Sequence, residues 1–120
     1  MLRCLLHDIT DVLAPQDQAY FRESRERRFG MTLEEAVADR ETTGVTSFRA
    51  QLAPVRSVLA QQPWLGGIAP DYADYILLGN LQWARCVSRF ELLAADDPVA
   101  EWRACGLALF DGLLAKAPRG

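Results

Sequence analysis

Apolar positions recur along this chain at helical spacing and nowhere alternate as they would in a strand. Leu2, Leu5, Leu6, Ile9, Val12 and Leu13 fall on one face, the three-and-four stepping that gives a helix a buried stripe. No capping side chain or staple stands ahead of them, so this reads as a helix whose earlier part has been cut off. Pro15 suits the first turn of a second helix, with Asp17 near its positive pole. That helix is expected to run to Phe29 and stop at Gly30, a residue at ease in the left-handed conformation. Thr32-Leu33-Glu34-Glu35 has the form of a capping box and opens a third, longer helix. Its apolar face carries Val37, Val45, Phe48, Leu52, Val55 and Leu59. Thr42-Thr43-Gly44 is expected to loosen it. Pro54 should bend it, because proline lacks an N–H and crowds the carbonyl four residues back.

The sharpest local signal lies between Gln62 and Tyr75. Pro63, the Gly66-Gly67 pair and Pro70 punctuate a loop. Asp71 then stands as an N-cap, and Asp74, three residues on, can reach back to the N-cap N–H in an acidic version of the capping box. Both charges complement the positive end of the helix dipole. No charged residue follows Asp74 until Arg85, and Ile76 to Ala84 is apolar on nearly every side. The pattern predicts a helix from Asp71 to near Val87, buried in the middle of a bundle. A connector from Ser88 to Asp96 leads to Asp97-Pro98, an N-cap with proline at the first helical position. The last helix would carry Val99, Trp102, Leu109, Phe110 and Leu113 on one side, with a frayed end at Pro118 and Gly120. The fold class is all-α, and residues 1–120 are expected to form one helical domain.

Composition narrows the partners more than the fold. The 120 residues are 50% hydrophobic and 24% charged, with net charge −3, which gives no electrostatic reason to expect nucleic acid or an anionic membrane. No apolar run reaches the ~20 residues of a membrane span, and the start lacks the apolar core and cleavage site of a secretory signal. A reducing cytoplasm is the default location. Three scattered cysteines, Cys4, Cys86 and Cys105, do not suggest a disulfide framework.

Candidate chemistry is thin. Asp71 and Asp74 can be read as paired acids for proton transfer, but both sit where a helix N-terminus wants acceptors, so capping is the stronger reading. His7 is the only histidine. Cys4 and His7 can share a helix face, yet nothing supplies the remaining ligands of a zinc site or a base for a nucleophile. Arg22, Arg25, Arg27 and Arg28, interleaved with Glu23 and Glu26, read as a solvated face laced by Arg22–Glu26 and Glu23–Arg27 pairs; the sharper alternative is an arginine facing an anionic ligand or a partner domain. Trp64, Trp83 and Trp102 read as core residues. Tyr20, Phe21 and Trp83 could line an aromatic substrate pocket if a further domain lay against them. No catalytic, cofactor-binding or metal residue is assigned.

The pattern G-G-x-x-P-x-x-A-D-x-x-L-x-x-x-x-Q-W over residues 66–83 resembles the entry to the central helix in the all-helical C-terminal domain of glutathione transferases. Tyr20 to Gly30, Gln82-Trp83-Ala84-Arg85 and Phe90 to Val99 look like the bacterial β-etherase-related branch. The resemblance implies a thioredoxin-like N-terminal domain that holds glutathione as cosubstrate and activates its thiol. It also implies a helical domain that lines the pocket for an electrophile, with conjugation or aryl-ether cleavage as the parent activity. These residues correspond to the helical half alone, lacking the start of its first helix, so the chain is expected to be inactive by itself. Its partner would be the thioredoxin-like domain, in cis or in trans. Apolar groups left uncovered, first of all on Met1 to Leu13, would favour homo-oligomers. The rival reading is a stand-alone helical protein-interaction module; a third is an enzyme completed by a separately encoded half.

Overall fold

Helical spacing in the sequence becomes seven α-helices in the structure, a computed structural model that describes residues 1–120. They are α1 (Leu6–Val12), α2 (Pro15–Phe29), α3 (Leu33–Val37), α4 (Val45–Gln51), α5 (Ala53–Leu59), α6 (Tyr72–Val87) and α7 (Pro98–Gly112), with no strands. No helix is long and apolar enough to cross a membrane.

A 3-10 turn over Leu2–Leu5 leads into α1, and neither has a side-chain cap. Their apolar stripe is not left facing water, contrary to expectation. Cys4, Leu5, Leu6 and Ile9 are buried, and only Leu2 and Val12 at the margins are open. Leu5 and Ile9 enter the main core with Phe48, Leu52, Leu78, Leu81, Val99 and Trp102, while Leu6 joins Leu33 and Ala36 in a smaller cluster under α3. The segment thus shares one core with residues of α4, α6 and α7.

The second helix begins at Pro15 and ends on Gly30, whose φ of 68° is the left-handed conformation glycine tolerates. It buries no residue fully; Phe21 leans on both apolar clusters and Arg25 lies over its ring at 5.1 Å.

Thr32 and Glu35 form a reciprocal capping box at the start of α3. The long third helix is broken into three. Over Arg40–Gly44 the chain widens into a π-helical turn, at the run of residues with the poorest helix propensity. The second break falls at Leu52, with Pro54 in the first turn of α5, where a missing N–H removes no helical bond.

Pairing between distant charges locks these pieces together. Arg40 donates to Asp8 at 2.8 Å, and Ser88 also donates to that carboxylate, joining α1 to the segment after α6. Arg49 donates to the carbonyls of Leu92 and Glu91 at 2.9 and 3.2 Å, fixing the connector. Where α6 and α7 cross, Gly106 is buried and a Cβ there would collide with the Leu78 side chain. The helices can approach only because position 106 has no side chain.

Helices α6 and α7 also depart from expectation. Helix α6 is not buried all round: Tyr72 is 79% and Trp83 40% exposed, with Tyr75 and Ile76 also open. The apolar face of α7 is also cut short. Its backbone leaves helical geometry at Leu109, and Phe110 and Asp111 take φ of 52° and 57°. Val99 and Trp102 are buried as expected, but Phe110 and Leu113 are turned outward.

Candidate functional site: the entry and open face of helix α6

The chain enters α6 through a tight turn. Trp64 and Gly67 exchange backbone hydrogen bonds at 3.1 and 3.0 Å, and Gly67 takes a φ of 110°. A Cβ on Gly66 would lie 2.6 Å from Asp71 Cγ, so this close approach needs glycine. Gln62 holds the turn from outside by donating to the carbonyls of Trp64 and Leu65 at 2.8 and 2.9 Å.

At the centre of this turn lies the Asp74 carboxylate, fully buried. Oδ1 accepts from the Leu65 N–H and from the Trp102 indole, both at 2.8 Å. Oδ2 accepts from the Gly66 N–H at 2.9 Å and the Asp71 N–H at 3.1 Å. Two bonds on each oxygen fill the acceptor capacity of a carboxylate. Burial pushes its pKa up, but the N–H groups of Leu65, Asp71 and Gly66 and the indole outweigh this, leaving it below the usual carboxylate range. Asp71 completes the box by accepting from the Ala73 N–H at 2.9 Å. An acid with a lowered pKa and every lone pair occupied is a poor proton carrier near neutrality. The pair is a folding element, tying the 62–67 turn, α6 and α7 to one charge.

Beyond this entry, α6 turns Tyr72, Tyr75, Ile76 and Trp83 outward without a single charge among them. Phe110, from the kink in α7, lies against Tyr75 with ring centroids 6.3 Å apart and extends the patch onto a second helix. Gly79 sits amid these residues with open space above its Cα. The result is a shallow apolar surface with a dip at its middle.

The candidate pocket residues are not gathered into one cavity. Tyr20 points away from the core on α2, Phe21 is turned inward, and Trp83 lies on the open face of α6; none of them lines a cavity. Cys4 is buried beside Gly44, whereas His7 faces Asp11 and Glu34 at 3.8 and 3.7 Å. No group of three His, Cys, Asp or Glu side chains could hold a metal ion. In the arginine cluster, Arg22 bridges α2 to α3, donating to Glu26 at 2.9 Å and to both oxygens of Glu34 at 3.0 and 2.9 Å. Those bonds hold the Glu34 carboxyl down at about 2. Arg27 pairs with Glu23 on the exposed face.

One anchor has only half a signature in the sequence. Asp97 caps α7, accepting from Val99 N–H at 2.9 Å, and also receives Arg56 of α5 at 2.6 and 3.1 Å. The Asp97-Pro98 pair announces the cap; nothing local announces an arginine 41 residues away. The Arg56 hydrogen bonds lower the Asp97 pKa against burial, with help from the Val99 N–H.

Residues 1–103 match the family model described as "Glutathione S-transferase, C-terminal domain".

Proposed function

The chain belongs to the glutathione S-transferase C-terminal domain family, and from that premise we propose that it is the scaffold and substrate-pocket half of a transferase-like protein, its open α6 face lying against a thioredoxin-like domain. The observation that carries this reading is the uncharged patch of Tyr72, Tyr75, Ile76, Trp83 and Phe110. From ordinary side-chain areas its exposed surface is roughly 500–600 Å², at the upper end of what a monomer leaves in water. A domain laid over it would bury that surface and form the second wall of a pocket. Such a domain would have to span Tyr20 on α2 and Trp83 on α6 to bring both to an electrophilic substrate, while Phe21 packs inside the helical domain. The segments Tyr20 to Gly30 and Phe90 to Val99 favour the β-etherase-related branch, so the parent activity is glutathione conjugation or glutathione-dependent aryl-ether cleavage. Glutathione binding and thiol activation are assigned to the thioredoxin-like half, and no catalytic step to this chain's own side chains.

The test is a reconstitution. The purified 120-residue chain, given glutathione and 1-chloro-2,4-dinitrobenzene, should show no turnover above the uncatalysed rate. It should bind a thioredoxin-like half from the same family supplied in trans. Ile76→Glu places a charge on the patch without touching the core and should abolish that binding while leaving the circular dichroism unchanged. With no partner added, the same face should give concentration-dependent dimers in sedimentation, which Ile76→Glu removes. Turnover by the chain alone, or undiminished partner binding by Ile76→Glu, would overturn the reading.

A further inference from the structure

A second feature lies away from the α6 patch, where the end of α6, the connector after it and α7 enclose a cavity of about 200 Å³. Three guanidinium groups line it: Arg85 from the last turn of α6, Arg103 from α7 and Arg119 from the C-terminal segment. One carboxylate, Glu91, is the only acid in the lining. The wall is therefore two positive charges in excess, in a chain whose net charge is −3. Leu81 and Leu107 supply part of an apolar floor.

Two of the three arginines have an ordinary structural partner in Glu91. Arg119 pairs with one oxygen of Glu91, and Arg103 approaches the other at 3.6 Å. Arg85 has no carboxylate partner. Its Nη2 reaches the Ala115 carbonyl at a long 3.5 Å, and its Nη1 is buried with no acceptor at all. A buried charged donor without an acceptor is costly and uncommon; Nη1 itself has no surface open to the cavity, so what Arg85 offers an occupant is its unneutralised charge and the weakly held Nη2 edge.

We propose that this cavity binds a small organic carboxylate, its oxygens taken by the planar forks of Arg85 and Arg103 and its apolar body resting on Leu81 and Leu107. A guanidinium matches carboxylate geometry and keeps its charge at any physiological pH. The volume falls below the ~300–1,000 Å³ of sites for drug-sized ligands, which limits the occupant to a single ring or a short branched chain. The site is independent of the α6 face and of any thioredoxin-like partner.

Benzoate is the probe, titrated into the full 15N-labelled chain and followed by amide chemical shifts. The expected result is saturable shifts confined to the amides around Arg85, Glu91 and Leu107. Benzyl alcohol, its neutral counterpart, should bind at least about tenfold more weakly, the factor expected when a charged acceptor is lost. Arg85→Gln should weaken benzoate by a similar factor, and Arg27→Gln, on the exposed side of α2, should leave it unchanged. Equal affinity for benzoate and benzyl alcohol overturns the proposal, as do shifts that do not saturate or an Arg85→Gln chain that binds as well as the original. Should Arg85→Gln fail to fold, Arg103→Gln and the benzoate–benzyl alcohol comparison on the unaltered chain still decide the matter.

Discussion

Replacing Asp74 tests whether one buried charge organises this fold. Four donors converge on its two oxygens, from the 62–67 turn, the α6 N-cap and the Trp102 indole of α7. In Asp74→Ala the α6 cap contact is lost, at about 1 kcal/mol. The indole N–H, inside the core, is left without an acceptor, at about 1–3 kcal/mol. The Leu65 and Gly66 N–H groups lie nearer the surface and recover part of their loss from water, so the total should come to about 3–5 kcal/mol. For a domain whose stability is about 5–15 kcal/mol, that removes a large fraction of it. Asp74→Asn keeps one accepting oxygen but turns an NH₂ group toward two N–H donors, and should cost about 2–3 kcal/mol. Urea unfolding followed by far-UV circular dichroism measures both. A companion change, Trp102→Phe, should couple to Asp74→Ala by about 1 kcal/mol in a double-mutant cycle, because each change removes the one hydrogen bond the two share. Acid adds an independent signature. The Asp74 pKa is lower folded than unfolded, so its contribution is complete above the unfolded value of about 4 and disappears as pH falls through the folded one. The Asp74→Asn chain should therefore lose less stability than the original between neutral and strongly acidic pH. A cost below about 1 kcal/mol for Asp74→Ala, no more than an exposed cap is worth, or an unchanged acid limb in Asp74→Asn, would refute the reasoning.

Two more predictions concern the packing around this point. Gly106→Ala should destabilise the chain by about 1–3 kcal/mol through overpacking against Leu78, and Leu78→Ala in the same chain should cost less than it does alone; additive costs in urea titrations would rule out this contact. Arg56→Gln should cost about 1–2 kcal/mol, since Asp97 is buried but keeps its α7 cap bond while Arg56 remains partly solvated; carbon-detected NMR should show the Asp97 pKa rising toward its ordinary value, and no rise would separate the pair.

What was legible in the sequence was chemistry confined to a few neighbouring residues. The Thr32–Glu35 and Asp71–Asp74 boxes, the left-handed Gly30 and the cap at Asp97-Pro98 each depend on groups within about four positions of one another, and each forms where those residues fall. Breakers were legible in kind but not in place. Pro54 marks a discontinuity, yet the chain resolves it by ending α4 at Gln51 and starting a new helix with proline in its first turn. The kink in α7 had a signal at one end only: Asp111-Gly112 is a turn dipeptide, and both residues take a positive φ, whereas nothing about Phe110 announces the one it adopts. Gly106 pointed the wrong way: by propensity it weakens a helix, whereas its place in the fold is to let two helices touch.

The same limit explains the site. A helix without charges over most of its length is compatible with burial on every side or with one face left open to water, and no periodicity distinguishes the two. What settles it is where the other helices run. The distant core residues Leu5, Phe48, Val99 and Trp102 share the core with the Leu78–Leu81 side of α6, and Asp74 anchors that side to Trp102. Once the inner face is held by a saturated carboxylate and a glycine contact, α6 cannot roll to hide Tyr72, Ile76 and Trp83 without breaking both. The outward patch is thus a consequence of the inward anchor. A chain freed from that anchor by Asp74→Asn should expose its remaining core as well, and would bind a hydrophobic dye more strongly than the original at the same urea concentration.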